Sequence, residues 1–223
     1  MSRALIFDLD GVLLDSEQVW NEAKEELVRE QGGRWREDAP RRMMGMSSPE
    51  WAAYLHDELG VPLDPEEISA QVVRRLERIY RDGLPLVDGA TEAVKRLAGS
   101  LPLGLASSSN REIIDLFLEL SGLGPCFEVT LSSEEVERGK PAPDVYLQAL
   151  RRMGADPEES IAVEDSENGI RAAKAAGMRV VAVPNPHYPP DPGSLAQADD
   201  VVESLDELTA ERVVVVGQLR REP

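Results

Sequence analysis

Short runs of apolar residues alternate along the chain with longer stretches in which apolar positions recur every three or four residues, punctuated by Gly and Pro. This alternation predicts strands interleaved with helices, an α/β fold. Strands are expected at Ala4–Phe7, Pro102–Ala106, Phe127–Leu131, Ser160–Val163 and Arg179–Val183, with a shorter one near Asp200–Val202. Because these runs are largely apolar throughout, the sheet is expected to be parallel and covered on both faces. Crossover helices are expected at Gly89–Ala98, Arg111–Leu120, Asp144–Met153 and Asn168–Ala176, the last stopped by Gly177. A final helix is expected over Leu205–Leu219, despite the strand propensity of Val213–Val216. Pro184–Pro192 reads as a surface loop and Arg220–Pro223 as a frayed end.

More than ninety residues separate the first two strands, far more than one crossover helix needs. Their pattern is helical. Ser16 precedes a face carrying Val19, Trp20, Ala23 and Leu27, ended by Gly32 and Gly33. Ser47 and Glu50 fit a capping box ahead of Trp51, Tyr54 and Leu55. Pro65 opens a third helix through Ile68, Val72, Leu76 and Ile79. The expected organisation is a helical cap over residues 16–82, inserted into a doubly wound, Rossmann-like core made of residues 1–15 and 83–223.

Composition narrows the function. The 223 residues carry a net charge of −18, which argues against nucleic acid as a partner. No apolar run approaches the ~20 residues that cross a bilayer, so neither a membrane partner nor a secretory leader is expected, and the reading is cytoplasmic. One cysteine, Cys126, rules out an internal disulfide and a thiolate cluster for zinc. Only four lysines occur, Lys24, Lys95, Lys140 and Lys174, so a lysine in an unusual setting is informative. His56 and His187 show no ligand spacing, and surface or hydrogen-bonded roles are expected for both. Trp35, Trp51 and Tyr54 are expected mainly as packing residues of the cap.

Four segments carry candidate chemistry. Asp8 and Asp10 stand where the first strand runs into a glycine turn at Gly11, and residues two apart on a strand point the same way. Two acids aimed into one site repel, and a divalent cation or a proton relieves the repulsion. Leu105–Asn110 ends another apolar strand in Ser107, Ser108, Ser109 and Asn110, hydroxyls and amides suited to an anion such as phosphate. Lys140 lies in a segment with little other positive charge, and Glu164 and Asp165 follow a third strand before the turn at Gly169. Taken singly, each has a plain structural explanation as a cap, a surface charge or a solvated loop. In an open parallel sheet, however, the carboxyl ends of the strands converge on one crevice, so all four segments would meet.

With these motifs in this order, the chain resembles the haloacid dehalogenase superfamily phosphatases, in the branch that includes β-phosphoglucomutases and small-sugar phosphatases. The resemblance rests on Asp8-Leu9-Asp10-Gly11-Val12, on Ser107, on Gly139-Lys140-Pro141-Ala142-Pro143-Asp144 and on Glu164-Asp165-Ser166-Glu167-Asn168-Gly169. It implies that Asp8 attacks phosphorus and forms an aspartyl-phosphate, while Asp10 protonates the leaving oxygen and then activates water. It also implies a magnesium ion held by Asp8, the backbone carbonyl of Asp10 and Asp165, with Glu164 as a further or outer ligand. Ser107 and the backbone amides near Leu9 and Ser108 would bind the phosphoryl oxygens, Lys140 would orient Asp8, and Asn110 is a further candidate for lining the site.

Four rivals remain in view. A sugar phosphomutase shares the core chemistry, but Trp20 stands where β-phosphoglucomutases carry a histidine, and Ser48 and Pro49 stand where they carry a phosphate-binding arginine. Arg41 or Arg42 could substitute. A dehalogenase needs neither Asp10 nor Glu164 and Asp165, and a phosphonatase needs a cap lysine, for which Lys24 is the sole candidate. A binder without turnover would not need a second acid beside Asp8. The expected partner is a small phosphorylated metabolite, with sugar or polyol phosphates leading and phosphoglycolate and nucleotides open, acted on by a monomer.

Overall fold

The computed structural model describes residues 3–44, 46–185 and 189–218. Six strands, β1 (Leu5–Phe7), β2 (Leu103–Ser107), β3 (Val129–Ser132), β4 (Ile161–Glu164), β5 (Arg179–Ala182) and β6 (Asp200–Val201), pair in the order β3-β2-β1-β4-β5-β6. Every pairing is parallel, with Leu5 opposite both Leu103 and Ile161. The order reverses at β1, so β1 sits centrally with β2 and β4 beside it. That is the topological position where ligands bind in such sheets.

Strand periodicity divides the core. Leu5, Phe7, Leu103, Leu105, Ile161, Val163 and Val181 point to one face. There they meet α5 (Ala90–Ala98), α6 (Arg111–Ser121) and α10 (Ala210–Gln218). Ile6, Ala106, Leu131, Ala162, Val180 and Ala182 point to the other, against α7 (Asp144–Met153) and α8 (Glu167–Ala175). Both faces are covered by buried apolar side chains, which is why the strand sequences read as largely apolar runs.

Between β1 and α5 lie α1 (Glu17–Glu30), α2 (Ala39–Met43), α3 (Ser48–Asp57) and α4 (Pro65–Asp82). The Ser47 and Glu50 capping box is formed. Helices α1 and α3 pack on α4, which in turn packs on α6. The outgoing and returning chains pair where they cross. Leu14 bridges Leu86 antiparallel, with Asp15 N–H donating to Pro85 O at 2.8 Å and Val87 N–H to Leu13 O at 3.0 Å.

Three expectations change. Helix α2 arises in a stretch without a strong periodic signal, because Pro40 suits a first helical turn. The expected proline-rich loop is followed by an unexpected short helix, α9 (Pro192–Leu195), which Asp191 caps by accepting from the Gly193 and Ser194 amides. The last expected helix is split: a 3-10 turn over Leu205–Glu207 leaves helical geometry at Leu208 before α10 begins. Val213 and Val216 bury in α10 as helix residues, so tertiary packing overrides their strand propensity. Leu219, Arg220–Pro223 and His187 lie outside the described residues. His56 Nδ1 lies 3.0 and 2.9 Å from the Val61 and Leu63 carbonyls, a local polar role.

Candidate active site

The carboxyl ends of β1, β2 and β4 bring the sequence motifs together. Asp8 leaves β1 with its amide donating to Val163 O of β4 at 3.0 Å, which fixes its place in the sheet. Lys140, from the loop before α7, points its ammonium into the same spot. Nζ donates to Asp8 Oδ1 at 2.7 Å, to Glu164 Oε1 at 2.6 Å and to the Ala106 carbonyl at 3.1 Å. Glu164 is saturated. Besides Lys140 it accepts from the Tyr146 hydroxyl at 2.6 Å, the Asp165 and Ser166 amides and the Ser166 hydroxyl.

One lysine thus faces three buried acids, and the electrostatics follow. Burial alone would lower the Lys140 ammonium, but Asp8 and Glu164 beside it outweigh burial and hold it charged. Asp8 is raised from the usual carboxylate range to about 8, chiefly by burial, with Lys140 pulling it down and Glu164 and Asp10 pushing it up. Burial, then Glu164 and Asp8, raise Asp165 well above its ordinary value. Burial and then Glu164 also keep the Tyr146 phenol protonated, as a donor must be.

Two glycines make this density possible. A Cβ on Gly11, whose φ is +79°, would lie 1.8 Å from Asp165 Oδ2, and one on Gly169 would lie 1.9 Å from the Glu164 carboxyl carbon. The motif glycines therefore shape the acid cluster as well as turning the chain.

Asp10 faces a different set of partners. Its Oδ1 accepts from the Ser16 hydroxyl at 2.5 Å and the Trp20 indole N–H at 3.0 Å. Its Oδ2 accepts from Ser109 Oγ at 2.5 Å and Ser107 Oγ at 3.4 Å. Ser107 Oγ in turn accepts from the Ser109 amide at 2.9 Å, which folds the β2 terminus into a tight turn. The Ser108 hydroxyl is buried and makes no hydrogen bond among the described residues, leaving a donor without an acceptor beside the cavity.

A cavity of about 100 Å³ opens over these groups. Asp8, Asp10, Ser108, Ser109, Lys140 and Asp165 line its floor. Its roof comes from α1 to α3 and their connections: Glu17, Trp20, Asn21, Lys24, Met43, Met44, Met46 and Trp51. Carboxylate oxygens of Asp8, Glu164 and Asp165 lie within 4.8 Å of one another. Asp165 is 2% exposed, yet its carboxylate accepts a hydrogen bond from no described residue. A buried carboxylate in that position calls for a cation. Hard oxygen donors of this kind suit a magnesium ion.

The whole arrangement matches a known family. A model of the haloacid dehalogenase-like hydrolases matches residues 2–177. The chain belongs to that family. It is 34% identical to hexitol phosphatase B of Escherichia coli, over 93% of this chain and 94% of that protein. It is 29% identical to the bifunctional riboflavin kinase/FMN phosphatase of Arabidopsis thaliana, over 95% of this chain but only 56% of that longer protein. Its fold superposes on the crystal structure of CbbY from Rhodobacter sphaeroides in complex with phosphate with a TM-score of 0.85. That match is at 27% identity and covers 96% of this chain and all of the other.

In this hydrolase the structure gathers Asp8, Asp10, Ser107, Ser108, Lys140, Glu164 and Asp165 at one place. Leu9 has its side chain in the core, so only its backbone faces the turn. One expectation shifts. Asn110 is turned away from the cavity: its amide accepts from Ser48 Oγ at 2.7 Å and donates to Ser69 Oγ and Glu134 Oε1, joining α3 and α4 to the α/β body. The Asp10 carboxylate stands outside the Asp8–Glu164–Asp165 group, and the resemblance expects only its backbone carbonyl at a metal. Arg41 and Arg42 are not among the cavity-lining residues. Sequence reasoning passed over Tyr146, Glu17 and Asn21, and placed Ser109 only within the Leu105–Asn110 anion segment, not beside Asp10. The available signal was the spacing of Glu17, Asn21 and Lys24, which puts three polar groups on one face of α1 beside Trp20.

Proposed function

We propose that this chain is a magnesium-dependent phosphatase that hydrolyses a small phosphorylated metabolite, a sugar or polyol phosphate, through an aspartyl-phosphate. The observation that carries the reading is the buried Asp8, held by Lys140 at 2.7 Å beside an Asp165 that no described hydrogen-bond donor satisfies. Asp8, the Asp10 carbonyl and Asp165 would hold the ion, with Glu164 behind them fixing Lys140. Magnesium bound there supplies the positive charge that lets an anionic nucleophile approach an anionic phosphate.

The chain's own groups divide the remaining work. Asp8 attacks phosphorus in line and the alcohol oxygen leaves, carrying away the proton that Asp10 delivers. Asp10 then takes a proton from the water that cleaves the acyl phosphate. Its hydroxyl partners Ser16, Ser107 and Ser109 can each reverse donor and acceptor roles, so they accommodate both protonation states while the Trp20 indole fixes its orientation. Ser107, the unpartnered Ser108 hydroxyl and the Leu9 and Ser108 amides would receive the phosphoryl oxygens. Residues 16–82 act as a cap over a core of residues 1–15 and 83–223, opening and closing at the Leu14 and Leu86 crossing to admit substrate and exclude water.

Hydrolysis is favoured over mutase chemistry because Trp20 spends its indole N–H on Asp10 and neither Arg41 nor Arg42 lines the cavity. Among the described residues no helix is long and apolar enough to cross a membrane. A cytoplasmic monomer fits this reading. The test is phosphate release from p-nitrophenyl phosphate and hexitol phosphates, with a β-glucose 1-phosphate isomerisation control. We expect release that chelator abolishes and that Asp8→Asn and Asp10→Asn lose, with magnesium binding retained in Asp10→Asn. Ligand binding without release would convert the assignment to a binding module.

A further inference from the structure

The cavity roof contains charge that folding does not explain. Lys24 is 6% exposed, and no carboxylate comes within 4.0 Å of it among the described residues. Its Nζ instead stands 5.0 Å from the Trp20 ring centroid and 4.8 Å from that of Trp51. Glu17, on the same face of α1, has a buried Oε2 with no hydrogen-bond partner. Asn21 lies between them and also lines the cavity. Burial lowers the Lys24 ammonium to about 8 against the pull of Asp10 and Glu17, and raises Glu17 to about 7 with help from Asp10 and Asp15. The indoles and the mutual attraction of Glu17 and Lys24 offset part of this burial, but among the described residues neither group has a hydrogen-bond partner, and a ligand that supplies one removes the remaining cost.

We propose that Glu17 and Lys24 recognise an uncharged, hydroxylated substrate tail, through a hydroxyl that donates to the Glu17 carboxylate and accepts from the Lys24 ammonium. This rests on the phosphatase reading and names its substrate class. A hydroxyl is the small group that satisfies both partners at once, because it is donor and acceptor together. Asn21 offers the same pair of functions to a neighbouring hydroxyl. A tail ending in a carboxylate or a second phosphate would suit Lys24 alone and meet repulsion from Glu17 and Asp10. A flat base would find no broad platform: the two indoles meet edge to face at 67°, with the Lys24 ammonium within 5.0 Å of both ring centres.

The experiment compares kcat/KM for a hexitol 6-phosphate, phosphoglycolate, adenosine monophosphate and p-nitrophenyl phosphate, all with magnesium, in the wild type, Glu17→Gln and Lys24→Met. Glutamine keeps the shape of Glu17, and methionine keeps an unbranched stem between the indoles; thermal melts verify that both variants fold. The wild type is expected to prefer the hexitol ester over phosphoglycolate and the nucleotide by at least about tenfold, the scale of one charge-assisted hydrogen bond. Each variant is expected to lower the hexitol to p-nitrophenyl ratio by about tenfold or more. Glu17→Gln should at the same time raise the phosphoglycolate to p-nitrophenyl ratio, a shift that mere loss of packing does not produce. Equal wild-type activity on phosphoglycolate and the hexitol ester, or unchanged ratios in both folded variants, overturns the recognition pair and leaves the phosphatase standing. Absence of release from every ester overturns both.

Discussion

Replacing Lys140 with methionine removes the one cation among Asp8, Glu164 and Asp165 while keeping an unbranched side chain of similar length. The ammonium is 3% exposed and makes three short contacts, at 2.6, 2.7 and 3.1 Å. Breaking a buried ion pair on one side costs about 3–5 kcal/mol, because the fully buried Glu164 keeps its desolvation penalty without its offset, whereas Asp8 and Asp165, raised by burial, can hold protons at pH 7. For a chain of this size each kcal/mol moves the melting temperature by ~2–4 °C, so in chelator the variant is expected to melt about 6–20 °C lower. The double variant Lys140→Met with Glu164→Gln removes the stranded partner of Lys140 and should recover part of that loss, which a simple packing defect would not. Phosphate release should fall at least ~100-fold in the single variant, since charge on the transferring phosphoryl group loses a fixed partner. Circular dichroism melts in chelator at pH 7 decide the question. A single variant within ~1 kcal/mol of wild type, or a double variant no more stable than the single, would refute the electrostatic account.

Gly169→Ala pushes a methyl group against the Glu164 carboxylate and is expected to cost about 1–3 kcal/mol and to lower turnover with it; a variant as stable and active as wild type would show that α8 can move aside freely. Because Asp8 titrates near 8 in the metal-free protein, the folded state holds a proton that the unfolded state has released between pH ~4 and ~8. Metal-free stability should therefore fall as pH rises through that window. Magnesium must displace the same proton, so its affinity should weaken by up to about tenfold per unit of acidification from pH 8 to 6, and calorimetric titration showing no pH dependence would contradict this. Asn110→Ala should leave inhibition by inorganic phosphate within ~2-fold while hydrogen exchange rises across α3 and α4, since Asn110 ties those helices to the α/β body. A large loss of phosphate inhibition would return Asn110 to the phosphate site.

The strands were legible because a parallel strand covered on both faces is largely apolar, and that leaves a clear run at Ala4–Phe7 or Ile161–Val163. The acids at the strand ends were legible for the converse reason: Asp8, Glu164 and Asp165 interrupt apolar runs where charge is costly, so their presence demands a function. Chain order and the parallel-sheet rule then placed all four motifs at one edge. Lys140 stood out because lysine is scarce here.

The sequence alone could not show partner choice. Asn110 and Ser109 are adjacent polar residues after the same strand, yet one bonds to Ser48 and Ser69 across 62 and 41 residues of chain and the other to Asp10 across 99. Which way each side chain turns depends on where α3 and α4 come to rest, and no local pattern encodes that. The same holds for the roof, where Glu17 and Lys24 read as an ordinary charged helix face until tertiary packing sets Lys24 against Trp20 and Trp51 and turns both charges to the cavity. Local periodicity thus determined the elements and the reacting acids, because burial acts on each residue's polarity where it stands. Packing between distant segments decided which groups are left without partners, and it is on those groups that the proposed recognition of substrate rests.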